Sequence, residues 1–167
     1  MIARAALLGL VLVTALLLDT VVLSAVSIAG ATPSLVLLTV VAVGLADGGE
    51  AGARYGFAAG LAVDLVAGGL VGLTALVYLL TGFAVGALRP YIAGSTLAGQ
   101  ALVGAASTAA AILLYGALSL LFEPEAISAG AVILGGLVAG IGNGLLAPLI
   151  LRPVSAILRR VDVTLPG

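Results

Sequence analysis

TLAGQALVGAASTAAAILLYGALSLLF, residues 96–122, runs for 27 positions without one charged side chain. At about 1.5 Å per residue, a helix of that length reaches ~40 Å, more than the ~30 Å hydrocarbon layer of a bilayer, so the stretch reads as a membrane span. Two further runs flank it. Residues 126–151 are uncharged over 26 positions and residues 70–88 over 19. Both are closed by the same dipeptide, Arg89-Pro90 and Arg152-Pro153. Proline lacks the N–H that continues a helix and disfavours helical backbone in the residue before it, so both pairs read as helix stops.

Toward the N-terminus the runs are less uniform. Residues 5–28 are apolar apart from Asp19 and a few Ser and Thr, and end in the breaker Ala29-Gly30-Ala31-Thr32-Pro33. The basic start and Leu-rich run also resemble a secretory leader with small residues near Ala25 and Ser27, but the apolar stretch exceeds the 7–15 residues typical of a leader core. A span is the better reading. Residues 34–46 and 55–68 are shorter, with Asp47-Gly48-Gly49-Glu50 and Arg54 between them reading as a loop. Two short, Gly-bounded segments in succession suggest a helical hairpin packed inside the bundle, the alternative being one helix broken by the 47–54 loop.

The chain is thus expected to be an all-α polytopic membrane protein with six transmembrane helices. With that count, all six basic residues, Arg4, Arg54, Arg89, Arg152, Arg159 and Arg160, fall on one side of the membrane. Cytoplasmic loops carry the excess of Lys and Arg, which places both termini inside and Glu123-Pro124-Glu125 outside. Residues 1–152 form the membrane domain. Residues 153–167 place Val154, Ile157, Leu158 and Val161 at helical spacing and read as a short interfacial tail. Composition agrees: 63% of residues are hydrophobic and 8% charged, against roughly 45–50% and about 25% in a soluble domain.

Several function classes drop out. Six scattered arginines make no nucleic-acid footprint, although the Arg159-Arg160 pair suits anionic membrane lipid. Without Cys or His there is no thiolate chemistry, iron-sulfur cluster or His-bound zinc or haem, and no cofactor is expected. No serine has a histidine base, and Glu123-Pro124-Glu125 is too sparse for a metal cage.

The chain has 24 glycines, many at four-residue spacing: Gly56 and Gly60, Gly82 and Gly86, and Gly136, Gly140 and Gly144. Four residues is one helix face, and small residues let helix backbones approach closely in lipid, so these glycines mark helix packing or contact with a partner or a second copy. The Gly136 face, with Asn143 beside it, is the candidate for a partner helix. Asp19 and Asp64 are the carboxylates within spans, where a charge costs about 2.5–3.5 kcal/mol on insertion scales. Asp64 lies near the Gly68-Gly69 turn and can cap it or the start of the next helix. A sharper alternative joins Asp19 and Asp64 in a proton or solute site. Helix counting puts both in the outer half of the layer, and Gln100 and Asn143 in the inner half.

Pro33-x-Leu35, then Gly56-Phe57-x-x-Gly60-Leu61-x-x-Asp64-Leu65, Gly68, Gly72-Leu73-x-Ala75-Leu76-x-Tyr78 and Gly82 resemble the MreD family of the bacterial rod-shape system, with Ser34 standing where many relatives carry an acidic residue. The resemblance implies a multi-pass protein of the bacterial inner membrane that acts through MreC with the MreB filament, RodA and the elongation transpeptidase in lateral peptidoglycan synthesis. It also implies a fold similar to the six-helix substrate-binding subunits of energy-coupling-factor transporters. Two functions follow as expectations: a non-enzymatic scaffold that binds an MreC-like partner, or a membrane-embedded subunit that binds or transports a small solute.

Overall fold

The computed structural model describes residues 2–21, 33–68, 71–92, 96–122 and 128–164, with side chains of residues 2, 3, 122 and 159–164 outside the description. Among the described residues it is all helical: α1 Ile2–Val21, α2 Leu35–Asp47, α3 Gly49–Ala67, α4 Leu73–Ala87, a 3-10 turn Arg89–Tyr91, α5 Leu97–Phe122 and α6 Ala129–Thr164. Three helices are long and apolar enough to cross a membrane, α1, α5 and α6, while α2 and α4 are shorter apolar helices.

The short α2 is the core. Every residue from Leu35 to Gly44 is buried, so it is enclosed on all sides, as a helix apolar all round must be. The other five helices all touch it. At 13 residues it spans ~20 Å.

The expected loop at 47–54 is one residue long. Asp47 ends α2, Gly48 turns the chain with φ 93°, and α3 begins at Gly49, so Glu50 and Arg54 lie on helix and form an (i, i+4) ion pair at 3.5 Å. A side chain at Gly48 would strain that conformation. At the same end of the bundle Arg4 of α1 meets Asp47 at 2.6 Å.

Glycine brings α3 and α4 together. A Cβ on Gly56 would strike the Tyr78 carbonyl, one on Gly60 the Ala75 Cα and Thr74 carbonyl, and one on Gly52 the Gly82 carbonyl. Gly86 is as close to the Gly48-Gly49 backbone, and Gly44 of α2 lies against Gly82. Three backbones therefore approach where side chains would hold them apart.

Two expectations fail on α6. Arg152-Pro153 does not stop it: the helix runs unbroken for 36 residues through Pro148 and Pro153. Nor is the stretch after Pro153 an interfacial tail throughout, because Val154 and Leu158 are buried in the same core as α2. A proline removes one hydrogen bond, and packing of Leu151, Val154 and Leu158 on one face holds the helix past it. Arg89-Pro90, by contrast, does follow a helix end, since α4 closes at Ala87.

Candidate functional site

A helix that starts inside a protein leaves its first four N–H groups without intrahelical partners. At the start of α2 all four are matched. Ser34 adopts extended backbone (φ −121°, ψ 112°) and its Oγ accepts from the Leu37 N–H at 3.2 Å. Asp19 reaches across from α1: Oδ1 accepts from the Leu35 N–H at 2.7 Å and Oδ2 from the Val36 N–H at 3.1 Å. The fourth, the N–H of Ser34 itself, donates to Asn143 Oδ1 at 3.0 Å.

Asn143 completes the bracket. Its Nδ2 donates to the Ser34 carbonyl at 3.1 Å and to Thr108 Oγ1 at 2.8 Å. Because the Ser34 N–H can only donate, the amide orientation is fixed by its partners. The Ser34 hydroxyl gives its one proton to Asp19 Oδ2 at 3.0 Å, so in the 3.2 Å contact between Tyr78 and Ser34 the tyrosine is the donor. One residue thereby joins α1, α2, α4 and α6, with α5 held through Thr108.

Asp64 does the parallel work for α4. Its Oδ2 accepts from the Gly72 N–H at 2.7 Å and the Ala75 N–H at 3.3 Å, and its backbone carbonyl accepts from Gly68, which sits in the left-handed region at φ 70°. Asp19 and Asp64 thus serve two different helix starts and share no hydrogen bond.

Two sequence expectations need correction. Asn143 is not in the half of the layer opposite to Asp19; both meet Ser34. Helix counting takes the span to end before Arg152, whereas α6 continues to Thr164. The Gly136, Gly140 and Gly144 face is not an empty groove for a partner: it packs on α5. A Cβ on Gly140 would stand 3.1 Å from the Ala105 carbonyl, one on Gly144 3.1 Å from the Ala101 carbonyl, and one on Gly136 3.7 Å from that of Ala109. Asn143 itself is wholly buried and cannot reach across to another protein.

Beside the node lies an open cleft of about 600 Å³, walled by Leu16, Pro33, Leu37, Val63, Val66, Val77, Ala111 and Ile112, with polar groups from Asp19, Thr20, Ser34, Thr74, Tyr78, Thr108 and Tyr115. A second groove, about 500 Å³ and almost wholly apolar, runs between α4 and α5 past Leu80, Ala84, Leu88, Leu102, Ala106 and Ala110. Among the described residues no group of His, Cys, Asp or Glu is placed to hold a metal ion.

Apolar helices long enough to cross a bilayer, tied together by polar side chains that cap helix starts, define a helical membrane protein. Within that class the chain belongs to the MreD family: residues 2–118, most of the chain, match the family described as rod shape-determining protein MreD. No curated protein and no solved structure gives a significant match. Of the motif residues, Pro33, Gly56, Gly60, Asp64, Gly68, Gly72 and Tyr78 fall at helix starts, turns and close contacts, while Phe57 is exposed on α3. Sequence reasoning missed Ser34 and Thr108 as members of the node and Gly44 and Gly52 as contact glycines. Gly52 carried a signal, since it precedes Gly56 and Gly60 by the same four-residue step.

Proposed function

We propose that the protein is a non-enzymatic scaffold of the bacterial cell-elongation machinery. It sits in the inner membrane with six spans and both termini inside, and supports lateral peptidoglycan synthesis by binding the single span of an MreC-like protein. Through that partner it acts with MreB, RodA and the elongation transpeptidase. Membership of a rod shape-determining family carries the reading. The use of Asp19, Asp64 and Asn143 is consistent with it, since each closes a helix start and so holds the bundle in one shape.

With the Gly136 face occupied, the seat we assign to the partner is the α4–α5 groove. Ala84, Ala106 and Ala110 are exposed there, and small side chains let a helix backbone approach closely, which is what drives association where lipid removes the hydrophobic term. Affinity purification from native membranes with identification by mass spectrometry tests the function. Recovery of the MreC homologue is the expected result. Recovery of an ATPase with a membrane coupling subunit, and no MreC, would replace the scaffold with a transport subunit.

A further inference from the structure

The 600 Å³ cleft has the size of a ligand site and its make-up, apolar walls with a few convergent polar groups. Asp19 stands in its lining. Every contact of this carboxylate is as an acceptor, from Leu35 N–H, Val36 N–H and Ser34 Oγ, as an ionised carboxylate requires. Oδ1 takes one of these bonds and keeps acceptor capacity. The ion pairs among the described residues, Arg4–Asp47 and Arg54–Glu50, lie at the other end of α2. Among the described residues, Arg4, Arg54, Arg89 and Arg152 all lie outside the cleft lining, and the sequence has no basic residue between Asp19 and Pro33. The N–H groups at the start of α2 favour negative charge on Asp19, a cation beside it would stabilise it further, and among the described residues none lines the cleft. Thr74 and Tyr115, two hydroxyl-bearing residues on α4 and α5, line the same space.

We propose that this cleft binds a primary ammonium group carried on an apolar body, the ammonium donating to Asp19 and the hydroxyls of Thr74 and Tyr115 bonding the polar atoms next to it. Three N–H donors match what the carboxylate and hydroxyls can accept. An anionic headgroup without an amine meets a like charge and no cation. The source is either the ethanolamine headgroup of a membrane phospholipid or a free amine from solution, and the inference is independent of where a protein partner docks.

The test uses the full chain, purified in detergent and stripped of lipid, and follows its thermal midpoint. Phosphatidylethanolamine at about a hundred times its dissociation constant is expected to raise the midpoint by roughly 5–10 °C, while phosphatidylglycerol and phosphatidylcholine do not. Ethanolamine alone reproducing the rise identifies a soluble amine as the ligand; a rise only with the phospholipid identifies the lipid. The double variant Thr74→Val, Tyr115→Phe leaves the cap of α2 intact, so it should unfold at the unliganded midpoint and lose the selective rise. Asp19→Asn should lose it too. An equal response to all three lipids, a selective rise that survives in the double variant, or stabilisation by sodium without response to either amine would overturn the proposal.

Discussion

Asn143 holds both backbone polar groups of Ser34, 109 positions away in the chain, accepting from its N–H at 3.0 Å and donating to its carbonyl at 3.1 Å. A side-chain amide thus replaces the neighbouring backbone that a longer helix would have supplied, and α2 can begin inside the bundle. Asn143→Leu removes both bonds and the one to Thr108; the Ser34 carbonyl keeps the Leu38 N–H at 3.3 Å, but the Ser34 N–H is left unpaired at about 1–3 kcal/mol. Thermal unfolding in detergent should show a large fall. Asn143→Asp keeps the acceptor for the Ser34 N–H but loses the donor for the Ser34 carbonyl and sets a second buried carboxylate on the Ser34 node with Asp19, so its loss should be at least as large. A wild-type midpoint for Asn143→Leu would show that the bracket is not needed.

Asp64 Oδ2 serves two N–H groups at the start of α4, so acceptor geometry rather than charge is the expected role. Asp64→Asn retains an acceptor oxygen and should be milder than Asp64→Leu, which strands the Gly72 and Ala75 donors for about 1–3 kcal/mol apiece. Abolished rod-shape complementation by a stable, abundant Asp64→Asn protein would instead make charge or protonation the point.

Glycines should divide by what faces them. A Cβ on Gly9 or Gly130 meets nothing within 4 Å, so Gly9→Ala and Gly130→Ala gain about 0.5–1 kcal/mol of helix propensity. A Cβ on Gly56 runs into the Tyr78 carbonyl, a backbone atom that cannot swing aside, so Gly56→Ala should lose about 1–3 kcal/mol. Opposite signs in parallel melts are the expected result, and a common sign would mean that α3 and α4 can separate without loss.

Orientation is testable because the chain has no cysteine, so one introduced thiol is the sole thiol. Glu50, 85% exposed at the end of the bundle that holds Arg4, should resist an impermeant thiol reagent in intact cells as Glu50→Cys, and Glu125→Cys should label. The reverse pattern would invert the topology.

How much of this could be read from the sequence follows from the range of each interaction. Uncharged runs located α4, α5 and the start of α6 to within a few residues, because membrane solvation acts on each segment alone. Asp64 was legible as a cap, since its partners begin eight residues on, at Gly72. Asn143, Thr108 and Ser34 were not, because a single polar contact between helices, unlike a glycine face, leaves no periodic trace. The polar cluster at 47–50 looked like a loop, yet Gly48 alone makes the turn. Arg152-Pro153 looked like a stop, yet burial of Leu151 and Leu158 outweighs a missing hydrogen bond.

The partner seat makes the last expectation. Ala106 and Ala110 are exposed on α5 in the groove beside α4, so Ala106→Leu with Ala110→Leu should fold with a wild-type midpoint while filling the space a second helix would use. Gly140→Leu is the contrast: its side chain is directed at α5, with the Ala105 carbonyl only 3.1 Å from the Cβ position, and it should impair folding before it affects any partner. The measurement is recovery of the MreC homologue with each variant, alongside its melting midpoint. The alanine pair should lose the partner and keep its stability, and Gly140→Leu should lose stability first. Undiminished recovery with the alanine double variant would remove the α4–α5 groove as the seat and leave the exposed face of α1, marked by Leu10, Val13 and Leu17, as the next surface to block.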